Sequence, residues 1–277
     1  ESLWVFKDTL GGQPNCTIQY SDGYIYTGFW NSETKDANFV CVSATDEDPD
    51  NPTETKYATW TYAVQGGFYW AGAYVTDKYA IVGSDDGESD STSDSSYVYC
   101  FDKLTGEVVQ KVGPHHGDIR SDISYYDGRI YFTSKGGYLY SYNLKEDGTI
   151  DTENLIEPIE IGKMSTSTPA IANGRCYVGS SYGSNFSGTY GISVVDINEE
   201  TGAMNLEYVV YTDAYPQTSG VVSTGYKGYN YVYFATNGPS GNLWVVKDAP
   251  GMTEPDEGSQ ILYTPEHKQY CISSVAV

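Results

Sequence analysis

The 277-residue sequence is poor in basic side chains, with 15 Lys and Arg against 37 Asp and Glu and a formal net charge of −22. A charge of this sign repels the phosphate groups of nucleic acids and of anionic lipids. The sequence also lacks any apolar run of the ~18 residues that a membrane-spanning helix needs. We therefore expect no nucleic-acid partner and no membrane insertion.

Cysteine is scarce as well, and the five thiols are scattered without an adjacent pair or a Cys-x-x-Cys motif. This spacing argues against a disulfide framework and against a zinc site, and it favours small buried thiols. The aromatic content of 15% excludes a disordered chain. No helical period of useful length is present, so the fold class is expected to be all-β.

The sequence does contain a repeat. A turn of the Asp-Gly or Asn-Gly type precedes an alternating, aromatic-rich strand, first in Asp22–Gly28. Further copies begin at Asp77, Asp127 and Asn173, and a weaker copy begins at Tyr229. The copies recur roughly every 50 residues, a period typical of propellers and solenoids.

Three further short strands accompany each copy, which predicts a blade of four antiparallel strands. We predict a single β-propeller domain over residues 1–277. Its five complete blades are expected at residues 16–64, 71–112, 121–161, 167–211 and 218–264. Residues 1–8 and 270–277 are expected to contribute the terminal strands of a sixth, closing blade. Its two middle strands are missing from this sequence. Either the native chain extends beyond this sequence, or an incomplete blade closes the ring. The first alternative is favoured because an incomplete blade leaves unpaired strand edges, and we expect the chain to be part of a larger, multidomain protein.

Two segments resemble a known repeat family. Tyr97–Phe101 followed by Asp102–Val109 resembles the repeat of the pyrroloquinoline-quinone-type (PQQ-like) β-propellers. Ser167–Ile171 followed by Asn173–Gly179 is similar to the inner two strands of the same repeat. The resemblance implies the propeller fold. It leaves function open, because the family includes quinoprotein dehydrogenases, an outer-membrane assembly scaffold lipoprotein and many uncharacterised surface proteins.

The sequence departs from the dehydrogenase branch of this family. There the quinone stacks on a disulfide between adjacent cysteines, which this sequence lacks. The same branch carries a Trp that docks blade to blade, and Gln110 and Leu206 stand at its place in blades two and four. PQQ is therefore not expected, and no cofactor is predicted.

Blade topology assigns the loops to two faces. The loops from strand two to strand three and the crossovers between blades share one face, and here they are long and aromatic. We expect the ligand on this face, bound by Phe29, Trp30, Phe68, Tyr69, Trp70, Tyr182, Phe186 and Tyr215. Packing of the same rings in the core is the alternative that the sequence leaves open.

Candidates for catalysis lie near one crossover, at the expected mouth of the central channel. They are His115, His116, Asp118, Arg120 and Asp122. The histidines and Asp118 could form a metal site or an acid/base pair, or lie in a solvated loop. Arg120 could orient an anionic ligand or pair with a carboxylate. Asp122 could act as a catalytic carboxylate or as a hydrogen-bonded channel residue.

An acidic run suggests calcium. Asp86, Glu88 and Asp90 place oxygen ligands at alternate positions, as at the start of a calcium loop. The pattern then fails, because Ser91 stands where the turn glycine belongs and Tyr97 where the bidentate glutamate belongs. A solvated loop is favoured, and calcium is left open.

These observations predict an extracellular or cell-surface binding module whose ligand is a carbohydrate or another surface protein. The sequence has no nucleophile elbow, phosphate loop or zinc spacing, which favours a non-catalytic role. The alternative is a polysaccharide lyase or hydrolase with its site at the channel mouth. A quinone-dependent dehydrogenase is the third hypothesis.

Overall fold

The structure is a computed structural model that describes residues 3–90, 92–183 and 188–275. It is all-β in these residues, and none of its elements is a helix that could span a membrane. Twenty of its strands form five four-stranded antiparallel sheets, one for each predicted repeat. We number these sheets 1 to 5 in chain order.

The chain forms two compact units. Unit 1 comprises Glu1–Ile123 with Leu144–Thr152, and unit 2 comprises Ser124–Asn143 with Glu153–Val277.

Unit 1 contains sheets 1 and 2 and a parallel pair. Sheet 1 has the order β2 (Gln19–Ser21), β3 (Tyr24–Gly28), β4 (Asp36–Ser43), β6 (Trp60–Gln65). Sheet 2 consists of β7 (Tyr74–Val75), β8 (Tyr79–Gly83), β9 (Ser96–Asp102) and β10 (Val108–His115). The parallel pair consists of β1 (Val5–Phe6) and β5 (Thr55–Lys56).

Unit 2 contains sheets 3, 4 and 5. Sheet 3 consists of β11 (Ser124–Tyr126), β12 (Arg129–Thr133), β13 (Tyr138–Asn143) and β14 (Ile159–Glu160). Sheet 4 consists of β15 (Ala170–Ala172), β16 (Arg175–Ser181), β17 (Tyr190–Ile197) and β18 (Met204–Thr212). Sheet 5 consists of β19 (Val221–Tyr226), β20 (Tyr229–Ala235), β21 (Leu243–Asp248) and β22 (Gln260–Tyr263).

The turns of the repeat explain why the first two strands of a sheet pair. Asp22, Asp127 and Asn173 have φ values of 50°, 46° and 52°, and the glycine after each also has positive φ. Two left-handed residues in succession make the turn whose twist matches antiparallel strands. Asp and Asn tolerate this conformation better than other side chains do.

The terminal segments behave differently from the prediction. Val5 and Phe6 pair in parallel with Thr55 and Lys56, which belong to the insertion between β4 and β6. Residues 270–275 form no strand. A sixth sheet is therefore not formed by the residues that the structure describes.

A tryptophan joins sheets 1 and 2. The Trp60 ring lies against Gly106, where an added Cβ would come within 2.5 Å of the indole. Its Nε1 donates to the carbonyl oxygen of Lys103 at 2.9 Å, and the Tyr26 hydroxyl donates to the same oxygen. Trp60 was not predicted as a docking residue, because only Gln110 and Leu206 were compared with the docking tryptophan of the family.

Gln110 makes a connection of its own. Its Nε2 donates to the Ile150 carbonyl at 2.9 Å, and the Ile150 amide donates to its Oε1 at 2.7 Å. These two hydrogen bonds attach Leu144–Thr152 to unit 1, although the strands on either side of that segment belong to unit 2.

Unit 2 has a buried ionic connection between sheets 4 and 5. The Arg175 guanidinium donates from Nε and NH2 to the two oxygens of Asp248 at 2.9 and 3.0 Å. The hydroxyls of Tyr177 and Tyr208 donate to the same carboxylate. Both charged side chains are buried, so their pairing satisfies charges that would otherwise be costly inside the protein.

All five cysteines are free thiols, and the expectation of buried thiols is confirmed for four of them. Burial raises the pKa of Cys41 to about 11 and that of Cys100 to about 12. Both thiols therefore stay protonated and act as small apolar side chains.

Candidate functional site

Four loops of unit 1 come together at one edge of sheets 1 and 2. They follow β3, β6, β8 and β10, and the sequence assigned these loops to a single face. Trp30 from the first loop stacks on Tyr69 from the second. Arg120 from the fourth binds Asp85 from the third and Glu33 from the first. These four loops therefore converge within unit 1.

The aromatic platform consists of Trp30, Tyr69 and Trp70. The ring centroids of Trp30 and Tyr69 are 4.6 Å apart, and those of Tyr69 and Trp70 are 4.4 Å apart. All three side chains are half-buried, so part of each remains open to solvent. Trp70 has a φ of 62°, which bulky residues rarely adopt. Strain of this kind persists where the surroundings fix it, and it concentrates at functional sites.

The Arg120 guanidinium packs against the Tyr69 ring of the platform. Its Nε and NH2 donate to both Asp85 oxygens at 3.1 and 2.7 Å, and NH2 also lies 2.7 Å from oxygens of Glu33 and Asp118. Its central carbon lies 4.6 Å from the centroid of the Tyr69 ring. Arg120 thus connects three loops and positions the central ring of the platform.

Burial sets the electrostatics of this cluster. Burial and the neighbouring Asp118 raise the pKa of Asp85 well above its usual value, although Arg120 acts in the opposite direction. Burial alone would lower the pKa of Arg120, but Asp85, Asp118 and Glu33 raise it overall, so the guanidinium stays charged. One permanent cation therefore faces three carboxylates.

The same carboxylates are the ones that could hold a metal ion. Among the residues described, ligand oxygens of Glu33, Asp85 and Asp118 lie within 4.8 Å of one another. The NH2 nitrogen of Arg120 lies 2.7 Å from an oxygen of each of these side chains, and it donates hydrogen bonds to Glu33 and Asp85. The guanidinium occupies the position where a cation would bind, so the geometry favours an internal ion cluster.

The calcium candidates Asp86 and Asp90 accept hydrogen bonds from residues of their own loop. Asp86 accepts hydrogen bonds from the Glu88 amide on one oxygen and from the Ser93 amide and hydroxyl on the other. Asp90 accepts from the amide and hydroxyl of Thr92. These are turn-stabilising bonds of the kind that Asp makes in loops.

The catalytic candidates are divided among different environments. Asp118 and Arg120 belong to the ion cluster. His115 is buried, which lowers its pKa to about 4, and it is hydrogen-bonded to the Ser96 backbone. His116 is partly exposed and lies 2.7 Å from Asp94. The two adjacent histidines therefore have different partners.

Asp122 has hydrogen-bond partners of its own within unit 1. It accepts hydrogen bonds from the Thr17 side chain and the Gly72 backbone, while burial raises its pKa to about 6. An added Cβ at Gly72 would lie 2.2 Å from its oxygen, which shows how closely the backbone approaches. This environment fits the hydrogen-bonded alternative stated for Asp122.

Several aromatic candidates lie in the core. Phe68 and Tyr215 are 0% and 2% exposed, and Phe29 is 7% exposed. The Tyr215 hydroxyl accepts from the Thr166 amide within unit 2. These three rings have almost no exposed face, so core packing describes them better than ligand binding.

The two remaining aromatic candidates belong to the loop after β16. Tyr182 is half-buried in unit 2, where its hydroxyl is 2.7 Å from that of Ser193. Phe186 lies outside the residues that the structure describes.

Two members of the site, Glu33 and Asp85, were not predicted from the sequence. Both lie in loops that were assigned to the correct face, and Asp85 opens the acidic run that suggested calcium. The available signal was an arginine and several carboxylates on loops of one face in a chain with few basic residues.

The fold and this site define an all-β chain of the propeller type. BamB from Moraxella catarrhalis is 16% identical, with a TM-score of 0.55 over 94% of this chain and 66% of that one. A putative 6-phosphogluconolactonase from Bacteroides fragilis is 12% identical, with a TM-score of 0.50 over 90% of this chain and 84% of that one. At these identities the likeness shows the fold alone.

A quinohemoprotein alcohol dehydrogenase from Pseudomonas putida is also similar, with 14% identity and a TM-score of 0.46 over 67% of this chain and 33% of that one. No family model and no curated protein matches the chain. The chain spans 66% of the length of the BamB structure. The likeness to BamB supports an all-β fold of the propeller type.

Proposed function

We propose that this chain is a non-catalytic binding module that takes its ligand on the aromatic platform. One observation carries the proposal: Trp30, Tyr69 and Trp70 form a partly exposed ring stack on converging loops. Aromatic faces bind sugar rings and apolar side chains, and loops on a rigid sheet scaffold are common binding sites. The ligand is a carbohydrate or another surface protein.

The surroundings of the catalytic candidates support a role without turnover. Burial keeps His115 neutral above about pH 4. Asp118 and Arg120 are committed to one ion cluster. A general acid or base must reach the substrate, and buried or paired groups do so poorly.

We place the module outside the cell or at its surface, within a larger protein. The acidic composition with few lysines and cysteines supports this location. A high net negative charge keeps an exposed domain soluble and separate from other copies.

The proposal is tested by Trp70→Asn. Asparagine tolerates the left-handed backbone, so this change removes the ring with little added strain. We expect binding to an array of immobilised polysaccharides and surface proteins to fall by at least about tenfold, as for a central aromatic contact. The melting temperature should stay within a few degrees.

Tyr57→Ala is the matched control, because Tyr57 is 82% exposed and lies in the insertion between β4 and β6. It should leave binding unchanged. Full binding by the Trp70→Asn protein would rule out the platform as the binding site. Cleavage of any polysaccharide that disappears in His116→Ala would instead support the lyase or hydrolase hypothesis.

A further inference from the structure

Unit 1 also has a recess of about 340 Å³, which shares Asp85 with the ion cluster described above. It lies between the outer strand of sheet 1 and the β9–β10 side of sheet 2. Its lining includes Gln65, Asp85, Ser95, Tyr97 and Lys111. Asp85 belongs to both places, since its carboxylate binds the guanidinium that stacks on Tyr69. The recess therefore adjoins the support of the aromatic platform.

The acidic groups of the recess are already bonded. Both oxygens of Asp85 accept from Arg120. Asp86, which also lines the recess, accepts from Glu88 and Ser93 of its own loop. Neither carboxylate needs a ligand to satisfy its hydrogen bonds.

Lys111 differs from these groups. Its ammonium lies 3.8 Å from the centroid of the Tyr97 ring and 5.6 Å from that of Tyr99. It forms an ion pair with none of the carboxylates described, although the chain carries a net charge of −22. Its hydrogen-bond donors are thus held above an aromatic face and remain available.

The neighbouring polar groups are available as well. Gln65 donates from Nε2 to the Gly87 carbonyl at 3.1 Å, which leaves its Oε1 as an acceptor. The hydroxyls of Ser95 and Tyr97 line the same recess. Donors and acceptors of several kinds beside tyrosine rings suit a ring-shaped ligand with many hydroxyl groups.

We propose that this recess is a saccharide subsite, continuous with the aromatic platform, that seats one or two sugar rings. Lys111, Gln65 and Ser95 bond the sugar's oxygens, and Tyr97 supplies the apolar wall. Its volume lies within the range of small-molecule sites. The inference rests on the proposed function and extends it, because it selects carbohydrate over protein as the ligand and predicts a preference for longer chains.

The test uses Lys111→Met, which keeps most of the side chain over the Tyr97 ring and removes only the ammonium. Calorimetry is run with the di- and tetrasaccharides of cellulose, xylan and polygalacturonate. For the tetrasaccharides that bind, we expect about a tenfold loss of affinity, the size of one lost charged hydrogen bond. The corresponding disaccharides, held by the platform, should be unaffected.

Lys78→Met is the control, because it makes the same change in net charge at the exposed turn between β7 and β8. An equal loss of tetrasaccharide affinity in Lys111→Met and in Lys78→Met would indicate a general charge effect and overturn the subsite. An unchanged tetrasaccharide affinity in Lys111→Met, with loss in Trp70→Asn, would overturn the subsite and leave the platform intact. Loss of tetrasaccharide affinity in neither variant would count against both proposals. A failure of all six sugars to bind would overturn the saccharide subsite and leave a protein ligand for the platform.

Discussion

At the residue scale, two buried titratable groups in unit 1 act on stability in opposite directions. The pKa of Asp122 is raised to about 6 by burial, so its contribution to stability is present at low pH and is lost as the pH rises through about 6. The pKa of His115 is lowered to about 4 by burial, so its contribution is present above about pH 6.5 and is lost as the pH falls through about 4. The two effects partly cancel between pH 4 and 7.

Asp122→Asn and His115→Gln separate these effects. From pH 4 to 7, the free energy of unfolding of Asp122→Asn should rise relative to the parent protein by about 2–3 kcal/mol. That of His115→Gln should fall relative to the parent by a similar amount. Urea denaturation at pH 4, 5, 6 and 7 gives both slopes. If the free energy of unfolding changed with pH in the same way in the parent and in both variants, neither side chain would have a shifted pKa.

The sequence alone could not assign these environments. Adjacent histidines look equivalent in a sequence, but His115 is 3% exposed while the side chain of His116 is 43% exposed. A pKa shift depends on desolvation and on partners that are distant in the chain, such as Thr17 for Asp122. The meeting of Glu33, Asp85 and Arg120 likewise depends on long-range packing.

At the scale of elements, the sheets were predictable because their signals are local. The Asp-Gly or Asn-Gly turn and the alternation after it lie within a few residues, and they specify a hairpin wherever they occur. The contacts between sheets are less regular. Trp60 joins sheets 1 and 2, whereas Arg175 and Asp248 join sheets 4 and 5. Such contacts vary between repeats, so a repeat pattern does not reveal them.

Gln110→Leu tests one contact at this scale. The substitution removes both hydrogen bonds to the Ile150 backbone, and it should lower the free energy of unfolding by about 1–3 kcal/mol. Because the lost bonds hold Leu144–Thr152, amide exchange at Ile150 should speed up more than exchange in β9. Gln260→Leu, at an exposed position of β22, serves as the control. Unchanged exchange at Ile150 would contradict the role given to Gln110.

At the scale of the whole molecule, the net charge of −22 opposes folding through self-repulsion. Added salt screens this repulsion, since the Debye length falls from about 30 Å at 0.01 M to about 10 Å at 0.1 M. We expect the melting temperature at pH 7 to rise by a few degrees between 10 and 300 mM NaCl, in line with about 2–4 °C per kcal/mol for a chain of this size.

The same titration at about pH 4.2, the isoelectric point of the sequence, is the control. There the net charge is close to zero, and salt should have little effect on the melting temperature. A melting temperature that falls with salt at pH 7 would show that ion pairs such as Arg120 with Asp85 outweigh the overall repulsion.

The stack of Trp30, Tyr69 and Trp70 also makes the proposed binding face observable by spectroscopy. Electronic transitions of aromatic rings whose centroids are less than 5 Å apart couple, and coupled rings in a fixed chiral arrangement give strong near-ultraviolet circular dichroism. Loss of that band below the main unfolding transition would report the opening of these loops alone. The protein thus contains its own optical probe, and the motion of these loops can be followed without an attached label.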